Sequence, residues 1–372
     1  MRKLIFSFLF LLFLSACVQV ETETPKIVFG AIAPLSGDCA EYGEVVRDGI
    51  LIAVEEINAK GGINGKQVEV IFEDDKCTAK DATTAVQKLI DVDGVKVVFG
   101  GAASSETLGA APIVEQAKVI LISAISSSPD ITNAGDFVFR TYPSDAYSAS
   151  VAAEYAFKQG WKRAAVFSEQ KDYSQGLRRI FKESFTKAGG EIVADEVYAS
   201  DDADFRAQVL KIKDSKPDVV VVYPQTDVKG LALVKQLKEN GVNQQLIGAE
   251  ILVAKGSVEK DPALLEGLIG LELGLDDKNP KSSALFAKYR KEKGQEPPLS
   301  PVFMASAYDD VFLIADAVSE VGLDAEKIRD WLYNVKDWDG ALGKVSIDKN
   351  GDPILKNFLV KQVQDGEVVV IK

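Results

Sequence analysis

The chain has 372 residues, enough for two domains, and nearly half of them are apolar, so a sizeable core is available. Its formal net charge of −13 argues against a nucleic-acid partner, because phosphate contacts need a basic surface. There is no histidine, which excludes histidine metal sites and both Ser-His-Asp and Cys-His catalysis. The sequence also has no nucleophile elbow and no intact phosphate-binding loop, so we expect no enzyme, no metal and no cofactor.

Residues 1–17 have the pattern of a lipoprotein signal peptide. A basic start is followed by an apolar run at 4–14 that is too short for an ordinary spanning helix. The run ends in LSAC at 14–17, which resembles the bacterial lipobox. Cleavage there would leave Cys17 as a lipid-carrying N-terminus and 18–26 as a polar tether. A plain signal peptide with a chance cysteine is the alternative. We expect an extracytoplasmic protein that meets the membrane only through this anchor.

Short β-branched runs alternate with helical patterns from residue 27 to residue 140. Apolar residues at 46, 50, 53, 54 and 57 have helical spacing, and the glycines at 61–62 end that pattern. The predicted strands are 27–33, 68–72, 95–99, 119–123 and 137–140. The predicted helices are 41–59, 79–91 and 105–117.

The same alternation begins again after Pro143. The predicted helices are 146–159, 174–188, 204–214 and 228–240. The predicted strands are 163–167, 191–197, 218–223 and 245–248. Strands separated by helices of this length indicate right-handed βαβ units and parallel sheets. Two successive sets predict an α/β fold with two doubly wound parallel-sheet lobes.

The last third of the chain does not begin a third lobe. It contains predicted helices at 282–293, 301–321 and 324–335 and a hairpin-like turn, DKNGD, at 348–352. The glycine of that turn is at the wrong position for a calcium loop. We expect these helices to complete the first lobe. Lobe 1 is then 27–143 plus 275–357, lobe 2 is 144–274 plus 358–372, and hinge crossings lie near 143–144, 274 and 356–358.

Three predicted strands lead into loops of small polar residues, at 34–43, at 100–107 and in the stretch LISAISSSPD at 121–130. In open parallel sheets such loops lie where ligands bind. Ser104 is a candidate N-cap, and Ser128 followed by proline reads as a second helix start.

Two helix N-termini fronted by Ser104, Ser126 and Ser127 would make an anion pocket. Free N–H groups, hydroxyls and helix dipoles all favour a carboxylate there. Ordinary helix capping without a ligand is the alternative.

Several motifs resemble those of a known family. They are GDCAEYG (37–43), INAKGGINGKQVEV (57–70), DDKC (74–77), GAASSET (101–107), SSSPDIT (126–132), DYSQGL (172–177) and IGAE (247–250). From residue 27 to the C-terminus the chain resembles the type I periplasmic binding proteins of branched-chain amino-acid ABC transporters.

The resemblance implies roles for five residues. Ser104 would hold the carboxylate of an amino acid, and Ser127 would contact both its carboxylate and its ammonium. The carbonyl of Ile125 would accept from the ammonium. From the second lobe, Tyr173 would close over the ligand and Glu250 would pair with the ammonium. Taken alone, Glu250 would be interpreted as a solvated loop acid.

The side-chain pocket departs from the family. Tyr42 and Phe303 match aromatic positions, but Gln225 stands where family members carry a tyrosine. Leucine-type ligands, polar amino acids, amides and short-chain amino-acid analogues all remain open.

The cysteines differ too. Ala103 replaces a family cysteine, so Cys77 would pair with Cys39; two free thiols are the alternative.

The expected partners are a small-molecule amino acid and ABC permease subunits. A monomer is expected. A receptor module of the same fold, feeding a signalling partner, is the alternative function.

Overall fold

A computed structural model describes residues 26–276, 278–355 and 357–371. The predicted signal peptide, the lipidation site Cys17 and all but the last residue of the tether lie outside the described residues.

The described chain alternates strands and helices. The strands are β1 (Ile27–Ala33), β2 (Val68–Asp74), β3 (Val97–Phe99), β4 (Ile120–Ser123), β5 (Val138–Arg140), β6 (Arg163–Glu169), β7 (Glu191–Tyr198), β8 (Val219–Tyr223), β9 (Gln245–Gly248), β10 (Ile269–Leu273), β11 (Trp338–Gly340), β12 (Gly343–Val345), β13 (Phe358–Gln364) and β14 (Glu367–Val370). The α-helices are α1 (Ala40–Ala59), α2 (Ala79–Asp91), α3 (Ser104–Ala117), α4 (Asp145–Lys158), α5 (Asp172–Lys187), α6 (Arg206–Asp214), α7 (Asp227–Glu239), α8 (Lys255–Lys260), α9 (Pro262–Leu265), α10 (Pro280–Lys293), α11 (Pro301–Val321) and α12 (Ala325–Leu332).

The first sheet contains five parallel strands in the order β2-β1-β3-β4-β5. Its strands are those predicted from the sequence, with ends shifted by one or two residues. The ends of β3 and β4 point towards the same edge, which brings the loops at 100–103 and 124–128 together. This edge supplies one wall of the site described below.

The second sheet contains seven strands in the order β14-β13-β10-β9-β8-β6-β7. The five from β10 to β7 run parallel, and Val219–Val222 of β8 are fully buried, as a sheet covered on both faces requires. Strands β13 and β14 are antiparallel additions at one edge. The sequence analysis did not predict β10, β13 or β14.

The chain crosses between the two sheets three times: after β5, after β10 and before β13. Between the last two crossings, α11 packs along α1 and contacts β3 and β4. Gly49 makes the helix contact possible, since a Cβ there would lie 2.8 Å from the Met304 carbonyl oxygen. The predicted two-lobe α/β fold with three crossings is confirmed.

The turn at 348–352 is hairpin-like, as expected. The Asp348 N–H donates to the Asp352 carbonyl at 2.8 Å, and Ile347 and Pro353 form an isolated antiparallel bridge. The short hairpin of β11 and β12 was not predicted.

Candidate functional site

The residues predicted to contact a ligand converge on one cavity between the two sheets. The space left inside it is small. All nine predicted residues line it: Tyr42, Ser104, Ile125, Ser126, Ser127, Tyr173, Gln225, Glu250 and Phe303. Ala102 and Ala103 complete the lining.

The N-terminus of α3 forms the first corner. Ser104 is the first helical residue and Ala103 the N-cap, so the predicted N-cap is wrong by one position. Glu106 does the capping instead, since its Oε2 accepts from the Ala103 N–H at 2.6 Å. The Ser128 N–H donates to Ser104 Oγ at 3.1 Å. The hydroxyl proton of Ser104 therefore remains available to a ligand carboxylate.

The second corner is smaller than expected. Ser128 does cap a helix that begins with Pro129, accepting from the Asp130 N–H at 3.3 Å. That helix is a five-residue 3-10 turn, Pro129–Asn133. Its dipole is correspondingly small, so the expected pair of helix dipoles is reduced to that of α3.

Ser126 holds the two corners together. Its hydroxyl donates to the Gly101 carbonyl at 2.8 Å and lies 2.7 Å from Thr107 Oγ1. Because that proton is already engaged within the protein, the expectation that the Ser126 hydroxyl donates to a carboxylate does not fit this geometry.

Ser127 faces an acid that the sequence analysis missed. Its hydroxyl donates to Asp145 Oδ2 at 2.5 Å, and Ser148 donates to Asp145 Oδ1 at 2.9 Å. Burial raises the pKa of Asp145 to about 7. The lone pairs of the Ser127 hydroxyl are what remain for a ligand, and lone pairs accept from an ammonium.

Glu250 provides the acid of the opposite wall. It begins the short 3-10 helix Glu250–Val253 directly beyond β9. The hydroxyl of Tyr142, another residue missed from the sequence, donates to Glu250 Oε2. Burial, followed by the nearby charge of Asp145, raises the pKa of Glu250 well above its ordinary value.

Aromatic side chains form the rest of the cavity wall. Tyr173 lies in the first turn of α5 and is 8 % exposed. The Phe303 ring centroid lies 6.0 Å from that of Tyr42 and 5.6 Å from that of Tyr142. The Tyr42 hydroxyl donates to the Gln225 carbonyl at 3.1 Å, which links the two lobes.

A buried arginine braces the loop that carries Ser127. Arg140 Nε lies 2.6 Å from Asp352 Oδ1, and its Nη1 donates to the Ser128 carbonyl at 2.9 Å. The ion pair thereby ties the ligand loop to the turn at 348–352. The sequence signal for this role was an arginine at the end of an apolar run, FVFR at 137–140, but that pattern does not identify Asp352 as its partner.

Cys39 and Cys77 form a disulfide in the structure, with Cα atoms 6.0 Å apart, within the usual range. Ala103, which replaces the family cysteine, packs against this bridge together with Tyr42. The bridge therefore joins the loops that follow β1 and β2 and lies next to the lining residues Tyr42 and Ala103.

No cluster of acidic or cysteine side chains suited to a metal ion occurs within 26–276, 278–355 and 357–371. In the same ranges, no helix combines the length and apolarity needed to cross a bilayer.

The sequence matches the family model described as periplasmic binding protein over residues 26–367. The chain belongs to the periplasmic binding protein family. A member from Pseudomonas aeruginosa, named leucine-, isoleucine-, valine-, threonine- and alanine-binding protein, is 31 % identical over 352 residues, covering 92 % of this chain and 90 % of that protein.

Solved periplasmic binding proteins share the architecture. A leucine-binding protein from Thermotoga maritima has a TM-score of 0.85 at 28 % identity, covering 93 % of this chain and 98 % of its own. A branched-chain amino-acid binding protein from Streptococcus pneumoniae, in complex with isoleucine, has a TM-score of 0.81 at 28 % identity, covering 93 % and 100 %. The protein is a solute-binding protein and not an enzyme.

Proposed function

We propose that this periplasmic binding protein holds the zwitterionic end of an amino acid between its lobes and delivers it to an ABC permease. The observation that carries the proposal is the position of the Ser104 hydroxyl, at the N-terminus of α3, on one wall of a small cavity and of an acid, Glu250, on the other.

The first wall suits a carboxylate. The Ser104 hydroxyl oxygen accepts from the Ser128 N–H, and among the described residues its proton goes to no protein acceptor, so that proton is available to a ligand. It also stands at the N-terminus of α3, where the helix dipole favours negative charge. A carboxylate at this corner would replace water by charge-assisted hydrogen bonds.

The other groups suit an ammonium. The Ile125 carbonyl and the Ser127 lone pairs offer acceptors, and Glu250 offers a charge. An ammonium buried in the closed cleft needs all of these, since a buried cation without partners is strongly disfavoured. The Pseudomonas relative is named for binding five amino acids, and the Streptococcus structure holds isoleucine; both agree with this assignment.

The contacts between the lobes support closure around the ligand. A Cβ at Gly176 on α5 would lie 2.7 Å from Pro129 Cδ, so only glycine allows this approach. The Arg179 guanidinium pairs with Asp130 at 2.6 Å across the same gap. We take lobe 1 as 27–143 plus 275–357 and lobe 2 as 144–274 plus 358–372. Ligand contacts made only in the closed arrangement would shift the equilibrium towards it.

The proposal includes a lipid anchor. Cleavage before Cys17 would leave the lobes outside the cytoplasm on the tether at 18–26, close to a membrane permease. Cys17→Ser should release the protein from membranes, as fractionation of cells would show.

Titration calorimetry with leucine and two truncated analogues tests the binding mode. We expect leucine to bind, and both 4-methylpentanoate, which lacks the amine, and 3-methylbutylamine, which lacks the carboxylate, to bind at least about 100-fold more weakly, since each leaves buried polar groups unpaired. Equal affinity for the acid and for leucine would exclude the role given to Glu250.

A further inference from the structure

We propose that Gln225 selects ligands whose side chain carries a neutral hydrogen-bonding group, a hydroxyl or an amide, over apolar ligands of the same shape. This inference rests on the proposed function, because it concerns the side-chain end of the same cavity.

Gln225 is held firmly at the cavity wall. It follows β8, lines the cavity and is 6 % exposed. Its backbone N–H donates to Glu169 Oε2 at 2.9 Å, and its carbonyl accepts from the Tyr42 hydroxyl at 3.1 Å. With the backbone fixed from both lobes, the side chain has little freedom to turn towards solvent when the cleft is closed.

The side-chain amide of Gln225 lacks a hydrogen-bond donor for its oxygen when no ligand is bound. Its Oε1 is buried and has no hydrogen-bond partner among the described residues. A buried amide oxygen left without a hydrogen-bond donor is unfavourable. A leucine or valine side chain would leave it unpaired, whereas a hydroxyl or amide would supply the missing donor and could use the amide as a donor in turn.

The other polar groups of the cavity are assigned to the zwitterionic end. Ser104 is matched to the carboxylate, Ser127 and Glu250 are matched to the ammonium, and Ser126 is engaged with Gly101. Apart from tyrosine hydroxyls, the remaining lining is apolar. Among the lining residues other than tyrosines, Gln225 is therefore the polar side chain left to contact the side chain of the ligand.

Charge and size narrow the ligand class further. Acidic side chains are disfavoured, because Glu169 lies beside Gln225 and Glu250 lines the same cavity. The space left in the closed cavity is small, which favours small side chains. Threonine and asparagine represent the class, and their apolar shape matches are valine and leucine.

Calorimetry with these two matched pairs tests the inference. The wild-type protein should bind threonine more tightly than valine, and asparagine more tightly than leucine, by about tenfold in each pair. Gln225→Met keeps the length of the side chain and removes the amide, so the preference in each pair should disappear or reverse.

The wild-type ratios carry the test even if the variant fails to fold. A wild-type protein that prefers valine and leucine, or a ratio unchanged by Gln225→Met, would overturn the role of Gln225 and leave the proposed function standing. If none of the four amino acids binds, the proposed function fails and this inference fails with it.

Discussion

The two walls of the cleft differ in how many of their polar groups have hydrogen-bond partners within the protein. On the lobe 1 wall, Ser104, Ser126 and Arg140 all have partners within the protein. On the lobe 2 side, Gln225 Oε1 and the hydroxyl of Tyr223, which lines an adjoining cavity, are buried with no partner among the described residues. The loops of the first wall are held together within the protein and leave the Ser104 hydroxyl proton for a ligand, whereas the second wall carries a buried amide oxygen that a ligand can pair.

This difference separates stability from affinity. Changes to the Arg140–Asp352 ion pair, the brace behind the first wall, should act mainly on the free energy of unfolding. Changes to the second wall should act mainly on ligand binding, because its unpaired polar groups gain a hydrogen-bond partner only when the ligand binds.

The largest effect is expected at the brace. Asp352→Asn leaves the fully buried Arg140 guanidinium without its counter-charge, which should lower the free energy of unfolding by about 3–5 kcal/mol. Urea denaturation measures this. The matched control is Asp130→Asn, which breaks the exposed pair with Arg179 and should cost no more than about 1 kcal/mol. Equal losses in the two variants would show that the Arg140–Asp352 pair is not a brace.

The second largest effect is expected at Glu250. Glu250→Gln should weaken amino-acid binding by about 1.5–3 kcal/mol, since it removes a charged partner of the ammonium. Its stability should not fall, because the raised pKa shows that the buried carboxylate is disfavoured in the unliganded protein. Glu259→Gln on the exposed face of α8 is the control and should change neither quantity. Unchanged affinity in Glu250→Gln would remove this residue from the site.

Binding should release protons. Burial raises the pKa of Glu250, so its carboxyl keeps its proton to a higher pH than an ordinary glutamate, whereas an ammonium favours the ionised form. Affinity should therefore rise as the pH increases through that raised pKa. Calorimetry in two buffers of different ionisation enthalpy measures the protons released, and the release should shrink in Glu250→Gln. Proton uptake on binding would contradict this account.

The smallest effect concerns stability and pH at the base of the first wall. Burial raises the pKa of Glu106 and of its neighbour Asp75, so the folded protein holds protons that the unfolded chain releases. Their contribution is fully present below the unfolded pKa values and is lost as the pH rises through the folded ones. Stability should fall as the pH rises from about 4, near the unfolded values, towards the folded value of about 7 for Asp75.

Glu106→Gln keeps an acceptor for the Ala103 N–H and removes one titration, so this slope should flatten. Urea midpoints at several pH values measure it, with Glu259→Gln as the control. An identical slope in both variants would contradict the assignment to the Asp75–Glu106 pair.

The sequence predicted the central strands better than the edges. Strand β8 is a continuous apolar run, which has one clear interpretation. Strands β13 and β14 are antiparallel edge strands outside the βαβ alternation, and most of their residues are partly exposed, so the pattern that predicted the parallel strands did not extend to them. Strand β10 was missed because it contains an acid, Glu272. That side chain is buried through its ion pair with Lys361 of β13, and this pairing exists only in the folded sheet.

The same limit applies to the site. Ser104, Ser127 and Glu250 follow predicted strands, so topology places their loops at the edge of a sheet, but the ligand role of Glu250 was expected only from the resemblance to the family. Arg140 and Asp352 are 212 positions apart in the chain, and their pairing depends on where the turn at 348–352 packs. Asp145 was missed for a related reason, since a lone acid in the first turn of a helix usually has no role beyond the helix dipole.

A crystal structure with bound threonine tests the central claim most directly. The account predicts the carboxylate at the Ser104 hydroxyl, the ammonium between Glu250 and the Ile125 carbonyl, and the threonine hydroxyl within hydrogen-bonding distance of the Gln225 amide. Threonine bound in the reverse orientation, with its carboxylate towards Glu250, or bound outside this cavity, would contradict it.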